Sequence, residues 1–172
     1  MIAARPVRLD LERIAPEGAN DGPCVEQLIE RAFGPGRFAK TAERLREGRK
    51  PLMDLSFVAW RGAQAVGAVR LWSVRIGEAN ALLLGPIAVD AAWRRKGLGA
   101  DLVIRAVAAA TSAGWQFIVL VGDEPFFGPL GFSAALAKNI RLPGPVDQGR
   151  VLARALVVGA SDDLQGDVSL GA

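Results

Sequence analysis

The hydrophobic pattern between residues 82 and 121 predicts a strand, a turn, a helix and a second strand. Residues 82–89 and 117–121 are apolar runs of strand length. Between them, apolar residues recur at helical spacing, at Leu98, Leu102, Ala106, Ala109 and Ala113. Gly114 then supplies a helix stop signal. The turn at residues 94–100 is therefore expected at the N-terminus of a helix that follows a buried strand.

The flanking segments predict further strands and helices. Partial alternation over residues 7–14 predicts a first strand, and helical spacing over 24–33 and 41–47 predicts two helices. Residues 55–60 and 65–74 are apolar, β-rich runs separated by a short polar turn, which predicts a hairpin. Gly85-Pro86 interrupts the strand at 82–89 and indicates an edge or a bulge, because proline cannot donate to a ladder. Residues 151–158 predict one more strand.

The turn at residues 94–100 has the composition of an anion site. Glycine lets a ligand approach the backbone, and the first N–H groups of the helix, with its dipole, attract negative charge. Three basic residues precede the helix, Arg94, Arg95 and Lys96, and they favour a diphosphate further. The alternative is a packing role for Gly97 and Gly99, and neither of the two common nucleotide-binding glycine patterns is present.

The residues from this turn onward resemble the GNAT superfamily of acyl-CoA-dependent N-acyltransferases. Arg94-x-x-Gly97-x-Gly99, after a strand that ends in Ile87-Ala88-Val89, matches the signature Gln/Arg-x-x-Gly-x-Gly/Ala. About thirty residues on, Phe127-Gly128-Pro129-Leu130-Gly131-Phe132 matches the family's aromatic residue followed by Gly-Phe, and the text before it looks like an uncharacterised bacterial subgroup. The resemblance implies an α/β fold in a single domain over residues 1–172. Its mixed central sheet would be flanked by helices, with a core unit at 82–132 and a splayed strand pair at the acyl-CoA site.

The resemblance also implies acetyl-CoA as co-substrate and a set of residues that would hold it. The backbone of the splayed strand would bond the pantetheine arm and polarise the thioester carbonyl, although an ordinary bulge would give the same sequence. The implied coenzyme-binding residues are Ile87, Ala88, Val89, Arg94, Arg95, Lys96, Gly97, Leu98, Gly99 and Ala100.

The implied reaction is direct transfer of an acetyl group to an amine of a small molecule or a protein. Asp123 and Glu124 are the candidate bases, with Glu124 slightly favoured, and the alternative for Asp123 is a helix N-cap. Phe127 occupies the position of the family's usual tyrosine acid, and the chain contains no tyrosine. Because a thiol of pKa about 8.5 leaves tolerably as thiolate, this loss should slow transfer without forbidding it. Water or Ser133 could replace the acid. The rival interpretation is a non-catalytic acyl-CoA-binding regulatory module.

Charge and composition restrict the classes of molecule that the protein is expected to bind. Residues 31–50 carry seven basic and two acidic side chains, a net charge of +5, which exceeds the +3 of the whole chain. In GNAT folds this segment borders the acceptor groove, so the cluster favours an anionic acceptor; a solvated helix face is the alternative. Nucleic acid is disfavoured, because the basic residues come without a helix-turn-helix pattern.

Composition also limits which cofactors and which cellular location are expected. With one cysteine and no histidine, no metal site is expected. No apolar run is long enough to span a bilayer, and the N-terminus lacks a signal-peptide pattern, so we expect no membrane partner and a cytoplasmic location. The oligomeric state stays open, with a homodimer among the alternatives.

Overall fold

The computed structural model describes residues 13–34, 40–160 and 164–171, in which eight strands and four helices are formed. The strands are β1 (Arg13–Pro16), β2 (Phe57–Arg61), β3 (Gln64–Ile76), β4 (Ala79–Val89), β5 (Phe117–Val121), β6 (Ile140–Arg141), β7 (Val151–Ala155) and β8 (Gly166–Leu170). The helices are α1 (Gly22–Phe33), α2 (Thr41–Arg44), α3 (Leu98–Ser112) and α4 (Glu124–Phe127). Within these ranges, no helix combines the length and the apolar character that a membrane span requires.

The strands form a mixed sheet in the order β1-β2-β3-β4-β5-β7. Neighbours along this path are antiparallel except β4 and β5, which are parallel. Helix α3 makes the crossover that a parallel pair requires. β8 adds an antiparallel partner at the far end of β3 and pairs in parallel with the short β6. The expected mixed sheet with flanking helices is thus confirmed.

The predicted strands and helices agree closely with the structure where the hydrophobic periodicity is strong. β5 has the predicted bounds, α3 begins at the predicted residue, and α1 begins two residues earlier than predicted. The predicted helix at 41–47 is too long, since α2 ends at Arg44, and the strand predicted to reach residue 158 ends at Ala155. For the first strand, only Arg13–Pro16 is seen, and residues 7–12 of that prediction lie outside the described residues.

The Gly85-Pro86 step forms a bulge in a stretch of β4 that pairs with β3 on one side and, among the described residues, has no strand partner on the other. The predicted bulge and the predicted open edge are thus both present. Both residues stand opposite Arg70 alone, where the register between β3 and β4 shifts. The Gly85–Pro86 peptide bond is cis. The indole nitrogen of Trp72 donates a 2.6 Å hydrogen bond to the Gly85 carbonyl, which fixes the bulge to β3.

Helices pack on both faces of the sheet. On one face, α1 buries Val25, Leu28 and Ile29 against β2, β3 and β4. On the other face, α3 approaches β3 so closely that a Cβ on Gly67 would lie 2.9 Å from Leu98 Cδ2. Because Leu98 is the first residue of α3 and is fully buried, the N-terminus of this helix is anchored to the sheet.

Candidate functional site

β4 and β5 separate shortly after they pair. Their parallel pairing is confined to Leu82↔Ile118 and Leu83↔Val119, although β4 continues to Val89. β4 stays paired with β3 to its end. In the described ranges no strand pairs with the edge of β4 that faces β5 beyond this point, so the backbone of that edge is open. The splay that the resemblance implied is present.

A cavity of about 430 Å³ fills the opening between the two strands. Its walls include the bulge of β4, the end of β5 and two further segments around residues 40–46 and 145–150. This volume lies within the range of roughly 300–1,000 Å³ that is usual for small-molecule sites. A second cavity of about 380 Å³ adjoins it, and Glu43, Arg46 and Pro86 line both.

The turn before α3 presents backbone N–H groups. Gly97 is the N-cap with φ 79°, a left-handed conformation that favours glycine, and its carbonyl accepts from the Asp101 N–H at 3.1 Å. Helix geometry leaves the preceding N–H groups, those of Leu98, Gly99 and Ala100, without an intrahelical acceptor. Free N–H groups at a helix N-terminus are what the predicted anion site requires, and anion binding at this turn stays a prediction.

Gly99 has no packing reason to be glycine. A Cβ at this position would lie 3.6 Å from Phe126 Cζ and 3.7 Å from Val89 Cγ2, which are ordinary van der Waals distances. The protein therefore leaves room at Gly99 that its own side chains do not fill. This observation favours a ligand over packing as the explanation of the second glycine.

The basic residues of the turn lie at its surface. Arg94, Arg95 and Lys96 are exposed; the Arg94 Nε donates to the Val89 carbonyl at 3.3 Å, and the Lys96 Nζ lies 5.5 Å from the Trp93 ring centroid. Phe126 connects this turn to the cavity, because it approaches Gly99 and also lines the cavity. The predicted anion site and the open strand edge are thus adjacent.

The three predicted catalytic positions are placed differently. Asp123 lines the cavity, but its carboxylate accepts from the Arg150 Nε at 3.1 Å and its side chain is 74% exposed. It makes no side-chain cap to α4. Glu124 is not among the cavity residues, and its Oε1 accepts from the Ala134 N–H at 3.1 Å. The role predicted for Glu124 stays a prediction that the cavity does not support.

Phe127 lines the cavity and is nearly buried. Its ring lies edge-on to Phe126 at 4.8 Å and to Phe132 at 5.9 Å, measured between ring centroids. A Cβ on Gly122 would overlap the Phe127 ring, so glycine at that position is what lets the ring settle at the end of β5. Ser133, the proposed substitute acid, is not a cavity residue, and its hydroxyl accepts from the Leu136 N–H.

The sequence did not single out the carboxylate and guanidinium in the wall shared by the two cavities. Glu43 Oε2 and Arg46 Nη2 form a 2.6 Å salt bridge, with side chains 18% and 10% exposed respectively. Their i,i+3 spacing is the signal that could have found this pair.

Asp147 also lines the first cavity, with one oxygen bonded to the Gly149 N–H. In the part of the chain that the structure describes, no three His, Cys, Asp or Glu side chains gather as a metal site would require.

A buried arginine supports the bulge from β3. Arg70 donates from Nε and Nη2 to the two oxygens of Glu17, at 3.0 and 2.6 Å, and from Nη1 to Glu26 at 2.5 Å. Burial alone would lower the pKa of Arg70, but the hydrogen bonds and charges of Glu17 and Glu26 raise that pKa above its ordinary value. The guanidinium therefore stays charged and links β3 to α1 and to the residue that follows β1, opposite Gly85 and Pro86.

Comparison with known proteins gives a family match over this region. A sequence model of the Acetyltransferase (GNAT) family matches residues 24–128, which is more than half of the 172 residues. The matched range contains the turn, the bulge and both diverging strands.

Individual relatives agree with the family match. The uncharacterized N-acetyltransferase YhbS of Escherichia coli K12 is 28% identical over 128 residues, which cover 73% of this chain and 75% of YhbS. The crystal structure of E. coli YhbS in complex with CoA superposes with a TM-score of 0.78 at 25% identity, covering 92% of this chain and 88% of that one. A GNAT family acetyltransferase from Brucella melitensis in complex with acetyl-CoA gives a TM-score of 0.69 at 24% identity, covering 93% and 96%. These structures confirm the GNAT fold.

Proposed function

Because the chain belongs to the acetyltransferase (GNAT) family, we propose that it transfers the acetyl group of acetyl-CoA directly to an amine of a small molecule or a protein. The observation that carries the proposal is the open edge of β4, which faces a cavity of about 430 Å³ and lies beside the anion site at the start of α3. E. coli YhbS has CoA in its crystal structure, and the Brucella relative has acetyl-CoA.

The coenzyme would be held at two places. Its diphosphate would lie on the backbone N–H groups of residues 97–100, with Arg94, Arg95 and Lys96 adding positive charge at the surface. The unfilled space at Gly99 fits a group that must approach the backbone closely. Its pantetheine arm would follow the open edge of β4 at Ile87, Ala88 and Val89.

Bound acetyl-CoA would supply the acyl group as a thioester, so that the acceptor nitrogen forms the amide bond, the carbon–sulfur bond breaks and the electron pair leaves with sulfur. The open N–H groups of β4 would stabilise negative charge on the carbonyl oxygen. Of the two predicted bases, Asp123 lines the cavity and could take the ammonium proton directly or through water. Glu124 could do so only after its carboxylate leaves the Ala134 N–H. Phe127 has no proton to donate, so the thiolate would leave unassisted by that residue.

Calorimetric titration of acetyl-CoA tests the coenzyme site. We expect saturable binding by the natural protein, with weaker binding by Gly99→Glu than by the neutral control Gly99→Gln. Mass-spectrometric detection of labelled acetyl on a panel of amines, with the same proteins, tests the transfer. Absence of coenzyme binding by the folded natural protein would contradict the proposed function.

A second candidate is a non-catalytic acyl-CoA-binding regulatory module. The observation that favours it is the phenyl ring of Phe127 at the tyrosine position, in a chain with no tyrosine. This candidate predicts coenzyme binding by the natural protein without acetylation of any amine in the panel. Acetylation by the natural protein would exclude it, whereas acetylation by Phe127→Tyr alone would trace the inactivity of the natural protein to the missing hydroxyl.

A further inference from the structure

The partition between the two cavities is a salt bridge on the wall of the proposed active site. Glu43 lies in α2 and Arg46 lies two residues beyond its end, in a turn that the Arg46 N–H closes on the Glu43 carbonyl at 3.0 Å. Their side chains are mostly buried and meet at 2.6 Å. A salt bridge in this setting is screened less by solvent than an exposed one.

This salt bridge lies against the bulge of β4. Arg46 Nη1 is 3.0 Å from the place that a Cβ on Gly85 would occupy, and both charged residues line both cavities together with Pro86. Gly85 and Pro86 directly precede the backbone that is proposed to hold the thioester. A ligand in the first cavity would therefore have the reactive strand edge on one side and the salt bridge on another.

The charges of the described residues that line the first cavity balance. Among residues 13–34, 40–160 and 164–171, three basic and three acidic side chains line it, namely Lys40, Arg46, Arg150, Glu43, Asp123 and Asp147. The second salt bridge, between Asp123 and Arg150, is exposed on both sides, at 74% and 49%, so it contributes little in water. A balanced lining offers no net attraction to a multiply charged anion such as a phosphate, nor to a polyamine. It suits a ligand that carries one charge of each sign.

The remaining lining is largely apolar. Phe33, Ile87, Phe126, Phe127 and Val146 contribute hydrocarbon surface to the same cavity. A ligand with an apolar side group would be favoured, because that group would be removed from water against this surface.

We propose that the acyl acceptor is a small zwitterionic amine, an amino-acid-like molecule with an apolar side group, whose carboxylate binds Arg46 and whose ammonium binds Glu43. This inference rests on the proposed acetyl-transfer function. One guanidinium can bind two carboxylates, and Arg70 of this protein does so with Glu17 and Glu26. Arg46 can therefore bind a substrate carboxylate while it keeps Glu43 in place.

The same arrangement distinguishes substrate from product. Transfer converts one ammonium and one thioester into one amide, one thiol and one proton, so the acceptor loses its positive charge and leaves as a net anion. Glu43 then attracts the substrate and repels the product, whereas Arg46 binds both. Removing the charge of Glu43 should weaken binding of the substrate and strengthen binding of the product.

The test uses binding, which does not depend on turnover. The twenty standard amino acids are screened by thermal shift with and without CoA, and any that stabilises is compared by calorimetry with its amide, which lacks the carboxylate, and with its N-acetyl derivative. We expect the amino acid to bind about 10- to 100-fold more tightly than its amide. Arg46→Gln should abolish that preference, and Glu43→Gln should shift the amino acid and its N-acetyl derivative in opposite directions.

Control variants separate these effects from general changes of charge or folding. Arg105→Gln and Glu30→Gln each remove one exposed charge of the same sign outside the cavities and should leave all affinities unchanged. Arg46→Lys keeps the positive charge but lacks the planar guanidinium, and it should lose most of the preference for the amino acid over its amide. This variant replaces Arg46→Gln in the test if Arg46→Gln fails to fold.

Two results would overturn the inference. One is that no amino acid binds the folded protein with or without CoA; the other is that the amide binds as well as the amino acid. A preference that persists in folded Arg46→Gln and Arg46→Lys would also remove Arg46 from the site. Failure of acetyl-CoA to bind would instead overturn the proposed function, and the amino-acid measurements without CoA would still decide whether Arg46 and Glu43 form a zwitterion site.

Discussion

Gly99 allows a test in which protein stability and coenzyme affinity should move in opposite directions. It is the second residue of α3, where glycine costs roughly 1 kcal/mol relative to alanine. A Cβ would meet only ordinary contacts at 3.6 and 3.7 Å. The carboxylate of Gly99→Glu would also interact favourably with the helix dipole, by about 0.3–1 kcal/mol. We therefore expect the ligand-free variant to be more stable than the natural protein by about 1 kcal/mol, or about 2–4 °C in Tm.

The same carboxylate should weaken coenzyme binding. If the diphosphate lies on the N–H groups of residues 97–100, the two negative groups would be about 5 Å apart, and their repulsion at an effective dielectric constant of 20 is about 3 kcal/mol. Exposure of the turn screens this value to about 1–2 kcal/mol, which corresponds to roughly a 5- to 30-fold loss of affinity. Gly99→Gln has nearly the same shape without the charge and should lose much less.

Calorimetry of acetyl-CoA at two salt concentrations, with thermal unfolding of each ligand-free protein, measures both effects. The difference in affinity between the Glu and Gln variants should shrink as salt rises, because screening weakens repulsion. Equal affinities for the two folded variants at low salt would refute the placement of the diphosphate. The corresponding change at Gly97 would be ambiguous, because its φ of 79° strains any other residue.

Three further variants test the scaffold and the chemistry. Gly67→Ala should destabilise the protein by about 1–3 kcal/mol in chemical denaturation, because the new methyl group would lie 2.9 Å from a buried α3 side chain. Gly22→Ala, with nothing within 4 Å, is its control and should change stability by less than about 0.5 kcal/mol; similar losses in both would contradict this packing argument. Glu17→Gln should cost about 3 kcal/mol, since its side chain is 1% exposed in a buried salt bridge. Glu26→Gln, at 51% exposure, should cost less than about 1 kcal/mol, and a larger loss from this change would be unexpected. Phe127→Tyr should raise the rate of acetyl transfer, toward the factor of about 10²–10⁴ that a general acid contributes. An unchanged rate would mean that the departing sulfur lies away from this ring.

Sequence periodicity was enough to predict the positions of the central secondary-structure elements. β5 and the start of α3 lie where the apolar pattern places them, because both are buried on a face that local spacing defines. The segment at 41–47 was harder to predict. After Arg44 its backbone continues in i,i+3 bonds, such as Glu47 N–H to the Arg44 carbonyl, and it therefore leaves the α-helix while keeping helical spacing. The pairing of β8 with β3 joins residues about ninety positions apart, which no local pattern could show.

The candidate site also has one part that the local sequence could predict and another part that it could not. The turn before α3 could be predicted, since the groups proposed to bind the diphosphate are backbone N–H groups whose place depends on the start of one helix. The surroundings of the two candidate bases could not be predicted from the sequence. Asp123 and Glu124 are neighbours, but Asp123 is the extended N-cap residue and Glu124 is the first residue of α4, so their side chains have different surroundings. One therefore lines the cavity while the other bonds the Ala134 N–H.

The basic cluster shows why a summed charge is a poor guide to a ligand. The net charge of +5 over residues 31–50 suggests a broad attraction for anions. In the structure, however, the basic side chains of this segment have different partners. Arg31 lies 3.7 Å from Asp90, and Arg49 donates to the carbonyls of Ser73 and Gly171. Among the basic residues of this cluster that the structure describes, Lys40 and Arg46 alone line the first cavity, and Arg46 is salt-bridged there to Glu43. A preference for a carboxylate should therefore depend on one guanidinium and its geometry, and the long-range field of the cluster should affect mainly the rate of encounter.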